Sequence, residues 1–292
     1  MSGPSDTLIE IVALREYGGV GSRVFQQLMV RFGTPKGVFD SYPGEIAELP
    51  RMSERKEELI RSSIENADLI RKRIVGYQNR GVGVVAVYEE LYPGSLFEIA
   101  DPPPVLYWKG QLAAVQTNCV AIVGTHTASL EGIAEGVRLG KAIALEGATV
   151  VSGLARGIDS AAHLGALQAD GTSIAALGCG FDNIYPSENQ SLAENLCVKG
   201  LLISEYPPET TVTPGRLIAR NRLIVGLAKS IIVVEVTQGS GGTTGAIAET
   251  LRQGKALYTC FNANRAGTST NSMGAVHLKN KDDWQMVLKY LV

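Results

Sequence analysis

Apolar residues recur at three- and four-residue steps through the first part of the chain. "DTLIEIVALREY" and "GSRVFQQLMVRF" both carry this spacing, which one face of an α-helix requires. Between them lies "GGVG", Gly18 to Gly21, a tight turn suited to joining two helices. Two uses of that turn stand open. It can close a plain helical hairpin, or it can form a helix-hairpin-helix unit whose backbone N–H groups face a phosphate. "MSERKEELIRSSIENADLIRKRI" predicts a long charged helix with a solvated face. Short β segments follow in "VGVVAVYEELYP" and "DPPPVLYWKG", where Pro102 to Pro104 exclude a helix interior. The pattern predicts a helical domain over 1–75 and a second domain over 76–292.

The period changes after residue 117. The apolar runs "CVAIVG", "ATVVSG", "SIAALG", "GLLISE", "SIIVVEV" and "KALYTC" alternate with helix-like stretches. Such alternation implies an α/β fold with a doubly wound, mostly parallel sheet. The strands are apolar throughout, as expected when helices cover both faces. The tail "MGAVHLKNKDDWQMVLKYLV" predicts a short terminal amphipathic helix.

In an open α/β sheet, ligands sit at the carboxyl ends of the strands. The residues just after each run are therefore the candidates. They are Gly124, Thr125, His126 and Ser129; then Ser152, Gly153 and Arg156; then Gly180; then Ser240 and Thr243. Glycine lets backbone N–H groups approach an anion, hydroxyls add donors, and helix N-termini add partial positive charge. With the turn Ser204 to Pro208 after "LLI", five such turns in register predict an anion-binding edge for phosphate.

One turn carries more than small residues. In "SGLARGIDSAAH", Arg156 can reach a phosphate or pair with Asp159, and Asp159 and Ser160 suit a helix N-cap. His163 falls one turn after Asp159 on the same helical face. A buried Asp159–His163 hydrogen bond bracing the turn and a catalytic pair are both open, but no nucleophile is placed to use the second. The stretch "PGRLIARNRLIVGLAKS" adds Arg216, Arg220, Arg222 and Lys229 with no acid among them. At least one arginine is expected to pair internally, with Glu205 or Glu235, and at least one to meet phosphate.

Composition narrows this picture. The 292 residues suffice for a sizeable core, and 45% hydrophobic with 19% charged residues is ordinary for a globular protein. The formal net charge of −2 means that nucleic-acid binding must rest on a local patch. The 4 cysteines form no CxxC pair and predict buried thiols, with no metal site. No apolar run is long enough to span a bilayer, and no signal segment is evident, which points to the cytoplasm.

The motifs "YPGSLFEIADPPPVLYWKG", "VAIVGTHTAS", "VVSGLARGIDSAAHLGAL", "LGCGFDNIYPSENQSL", "LISEYPP" and "RNRLIVGLAKSIIVVE" together resemble the DNA-processing protein A family, DprA or Smf. The resemblance implies an extended Rossmann fold preceded by a small sterile-alpha-motif-like domain. It also implies single-stranded DNA binding, protection of incoming strands in natural transformation, loading of a RecA-type recombinase, and a homodimer. It implies no catalytic residue, cofactor or metal. Carried onto this chain, the phosphate-facing turn is Gly124 to Ser129, and the basic stretch is Arg220, Asn221 and Arg222. Tyr185, Pro186 and Asn189 would also line the groove. Three departures bear on DNA affinity rather than fold. His126 stands where the family usually has arginine. "YPSENQSL" lacks a lysine often found there. "TQGSGGTTGAIAETLRQGKALYTCFN" replaces a "SGSLITA…PG" pattern. No C-terminal winged-helix domain is expected.

With aromatics at 6%, Tyr185 and Phe181 are the candidates for base stacking. A competing reading is a sensor or enzyme for a nucleotide-derived ligand. "SGGTTGAIAE" resembles the glycine-rich element of lysine-decarboxylase-like phosphoribohydrolases, in which a carboxylate such as Glu249 would help cleave an N-glycosidic bond. A third reading is a protein–protein adaptor that uses an apolar stripe on a Rossmann helix.

Overall fold

The computed structural model describes residues 3–237, 241–260, 275–278 and 283. The chain divides into two compact units, residues 1–107 and 108–292. Among the described residues, no helix is long and apolar enough to cross a membrane.

The first unit opens with α1 (Asp6–Val12), whose first turn is capped by the Ser5 hydroxyl, and continues into a π-helical turn at Ala13–Tyr17. The "GGVG" turn follows with Gly19 at φ +63°, a left-handed conformation that glycine adopts without strain. It leads into α2 (Ser22–Phe32). α3 (Pro35–Asp40) starts at Thr34, whose side chain accepts from Gly37 N, with Pro35 in the first helical position. The long charged helix expected over 52–74 is two helices, α4 (Glu54–Ser62) and α5 (Ala67–Asn79), joined by a 3₁₀ turn. At the joint the Ser63 hydroxyl donates to Ile60 O at 2.6 Å and Asn66 Nδ2 donates to Ser63 O. Short polar side chains that bond the local backbone in this way compete with a regular helix. β1 (Val82–Ala86), α6 (Gly94–Phe97) and β2 (Val105–Gly110) complete this part of the chain. Its interior is built on Ile11, Leu14, Leu28, Ile60 and Ile70, all buried.

The second unit alternates strand and helix as the apolar runs predict. Its elements are β3 (Cys119–Val123), α7 (Leu130–Leu145), β4 (Thr149–Ser152), α8 (Ile158–Gln168), β5 (Ser173–Leu177), α9 (Gln190–Lys199) and β6 (Leu201–Ser204). Then come α10 (Pro214–Ala219), α11 (Asn221–Leu227), β7 (Ser230–Val233), α12 (Gly241–Arg252), β8 (Ala256–Cys260) and β9 (Val276–Leu278). The strands lie in the order β6-β5-β4-β3-β7-β8-β9 and all these pairings are parallel. The terminal amphipathic helix expected from the tail lies outside the described residues.

The order reverses at β3. The chain first builds outward through β4, β5 and β6, then returns to β7 on the other side of β3. Helices leaving β3 and β7 thus part to opposite faces, which opens a crevice at the carboxyl ends of the strands. Val120, Ile122, Val150, Ile158 and Ile232 pack the layer beneath it.

Candidate functional site

A cleft opens over the carboxyl ends of β3, β4 and β5. Its inner recess, about 70 Å³, is lined by Gly124, His126, Asp159, Arg220, Asn221 and Thr243, among others. It continues into an outer part of about 330 Å³ that adds Gly153, Arg156, Tyr185, Pro186, Leu217 and Ile218. His126, Ala155, Arg220 and Gly242 belong to both parts.

The turn between β4 and α8 forms the floor. Leu154 is held at φ +62° and Gly157 at φ +69°. A Cβ on Gly157 would lie 2.4 Å from Thr125 O, so only glycine fits there. Asp159, in the first turn of α8, closes the loop: its Oδ2 accepts from Gly153 N at 3.1 Å and from Ala155 N at 3.3 Å. The helix N-cap is Gly157, not Asp159 or Ser160.

Arg220 lies buried above this floor. Its Nη1 donates to Ala176 O at 3.2 Å and sits 3.9 Å from Asp159 Oδ2. Burial pushes the Asp159 carboxyl up from its ordinary pKa, with the Arg220 charge opposing the shift. Burial likewise pushes the Arg220 guanidinium down, with Asp159 opposing. Each ion is tolerated in the interior because the other is there. Asn221 Nδ2 donates to Gly242 O at 2.9 Å and so ties α11 to the first turn of α12.

The Asp159–His163 bond expected from the sequence is not made. Asp159 faces the turn, while His163 Nδ1 lies 2.7 Å from Ser173 Oγ. Because the Ser173 hydroxyl donates to Val150 O, it must accept from Nδ1–H. The imidazole is therefore neutral with its lone pair on Nε2, which is buried without a partner. Burial pushes its pKa down to about 3, with the Arg220 charge adding to the shift. His163 is a core histidine.

Several candidate residues are turned inward rather than into the cleft. Thr125 is buried, with Oγ1 2.7 Å from Thr237 Oγ1 and 3.1 Å from Thr127 Oγ1. Ser152 Oγ donates to Ile122 O at 2.6 Å between neighbouring strands. Ser129 caps α7 by accepting from Gly132 N, and its own N–H and hydroxyl both donate to Glu235 Oε2. The α7 N-terminus, read from sequence as a place for phosphate, is thus filled by an internal carboxylate. Gly180 N donates to Thr210 O at 2.8 Å, away from the cleft. Asn189 Nδ2 donates to Leu154 O and to Ser160 Oγ, each at 2.8 Å, and staples its loop to the floor. Arg222 pairs with Glu205, one of the two internal partners expected for an arginine here. Ser240 lies outside the described residues.

The stacking candidates separate. Tyr185 is exposed on the outer cleft, whereas Phe181 is buried. Glu249 pairs with Arg252 and does not line the cleft. Sequence reading missed Leu217 and Ile218, the apolar wall contributed by α10. Their signal was present in "GRLIAR", where two apolar side chains on a six-residue helix have no second apolar turn to mark them as core.

The family described as DNA recombination-mediator protein A matches residues 83–288. Protein Smf of Synechocystis is 33% identical over 234 residues, 79% of this chain and 58% of that protein. DNA processing protein DprA of Bacillus subtilis is 35% identical over 186 residues, 63% of this chain and 62% of that protein. This chain thus spans about 60% of the length of these two relatives. The X-ray structure of DprA from Streptococcus pneumoniae superposes with a TM-score of 0.80 at 26% identity, covering 97% of this chain and 98% of that one. DNA processing protein A of Helicobacter pylori, described with a unique single-stranded DNA binding mode, superposes at a TM-score of 0.64 and 26% identity, over 71% of this chain and 96% of its own.

Proposed function

The chain belongs to the DNA recombination-mediator protein A family, and on that footing we propose that it binds single-stranded DNA in the cleft over β3, β4 and β5. One observation carries the reading: Arg156 and Arg220 line the same cleft as the apolar wall of Tyr185, Pro186, Leu217 and Ile218. The cations suit the sugar-phosphate backbone and the apolar wall suits the faces of unpaired bases. In a duplex those faces are stacked away, so the wall distinguishes single from double strands. Gly124 and His126 add backbone and imidazole donors at the inner end. The H. pylori relative, described with single-stranded DNA, supports the substrate class. In this reading the protein acts in DNA processing during transformation, binds as a homodimer, and passes the strand to a RecA-type recombinase. These three parts rest on the family resemblance.

Fluorescence anisotropy of labelled poly-dT against a matched duplex tests the reading. The expected result is tighter binding of the single strand. Equal affinity for both would remove the role of the apolar wall, and no binding at low salt would remove the strand.

A further inference from the structure

We propose that Glu188 is an internal stand-in for a strand phosphate: it holds Arg156 at the cleft mouth, releases it when single-stranded DNA binds, and thereby sets the affinity of the site. This rests on the single-strand reading above. Nε and Nη2 of Arg156 both donate to the Glu188 carboxylate, the second at 2.7 Å. A guanidinium takes two phosphate oxygens with the same planar fork. An arriving phosphate therefore competes with Glu188 for the same two donors.

The surroundings decide which arginine can exchange partners. The side chains of the Arg222–Glu205 pair are 12% and 4% exposed, and those of Arg220 and Asp159 are 8% each. Losing a partner there leaves a buried charge uncompensated, which is strongly unfavourable. The Arg156 and Glu188 side chains are 55% and 49% exposed. A pair already in water is weak and screened by salt. Among the described residues lining the cleft, Arg156 is the arginine whose acidic partner water already reaches.

The pair can open without disturbing the fold. Asn189, the neighbour of Glu188, is bonded to Leu154 O and Ser160 Oγ, so both turns stay in place when the carboxylate lets go. The released carboxylate then lies beside the bound strand and repels it. Its presence lowers affinity, and it lowers salt dependence because the freed charge regains counterions as the phosphate loses them.

The test uses the 292-residue chain and a fluorescein-labelled dT oligomer, titrated by anisotropy across a salt series. Glu188→Gln is expected to raise affinity about threefold or more at low salt. It should also steepen the slope of log affinity against log salt by up to about 0.7, the value of one single-strand phosphate contact no longer offset by counterions returning to Glu188. Glu146→Gln, at the far end of α7, makes the same change in net charge and is expected to do neither. Adding Arg156→Gln to Glu188→Gln is expected to abolish the gain. Wild-type binding with no effect of Glu188→Gln would overturn this proposal alone. So would an equal gain from Glu146→Gln, or a gain that survives loss of Arg156. Absence of strand binding by wild type and Glu188→Gln alike would overturn the single-strand reading, and this proposal with it.

Discussion

The guanidinium of Arg220 occupies the space that a side chain at position 153 would fill: a Cβ built on Gly153 would lie 1.2 Å from Arg220 Nη1. The glycine is there to seat a buried arginine at the floor of the cleft. Gly153→Ala must expel Arg220 from its bond to Ala176 O and from Asp159. The expected cost is about 2 to 3 kcal/mol, as for overpacking of an interior. Chemical denaturation checks it, and Gly153→Ala combined with Arg220→Ala should recover part of the loss.

Asp159 compensates that arginine. Asp159→Ala removes the charge and the acceptor of the Gly153 and Ala155 N–H groups. Removing one partner of a buried pair costs about 3 to 5 kcal/mol. Asp159→Asn, which keeps an acceptor, should lose less. Urea unfolding midpoints of the two variants decide the order, and equal losses would mean that charge alone matters.

His163 gives a pH signature with a definite sign. Its folded pKa is pushed down to about 3 from an ordinary 6.5, so the unfolded chain binds the proton first. The contribution of the neutral imidazole is present above pH 6.5 and is lost as pH falls toward 3, by up to about 1.4 kcal/mol per pH unit. In His163→Gln that loss is absent. The stability gap between wild type and this variant should therefore narrow between pH 6.5 and pH 4.5, measured by denaturation at each pH.

Ser129 separates architecture from binding. It caps α7 and holds Glu235, so Ser129→Ala should cost about 1 kcal/mol of stability. Strand affinity should stay within twofold of wild type. A large affinity loss with unchanged melting temperature would place a phosphate at the α7 N-terminus after all.

Much of this was legible in the sequence. β3 through β8 fall within the apolar runs, because fully covered strands have no polar face to interrupt them. The cleft's place followed from strand ends, and Gly124, His126, Gly153, Arg156, Tyr185, Arg220, Asn221 and Thr243 do line it. Other features could not be read. β9 is three residues, too short for any period. Whether Ser129, Ser152 or Thr125 faces ligand or core depends on partners more than 25 residues away, such as Glu235 and Thr237. The same holds for Arg156 and Glu188, which lie 32 residues apart on neighbouring turns.

Tyr185 offers its ring to the outer cleft beside Ile218. Tyr185→Ala should weaken single-strand binding by about fivefold or more without changing the melting temperature, and Tyr185→Trp should retain binding. Anisotropy with poly-dT measures both.

The most direct test of the account is where the strand lies. A dT oligomer carrying 5-iodouracil, irradiated in complex with the full chain and mapped by mass spectrometry, marks the aromatic residues that touch its bases. Adducts at Tyr185 are the expected result. Adducts confined to residues 1–107, with Tyr185 unmodified, would contradict it.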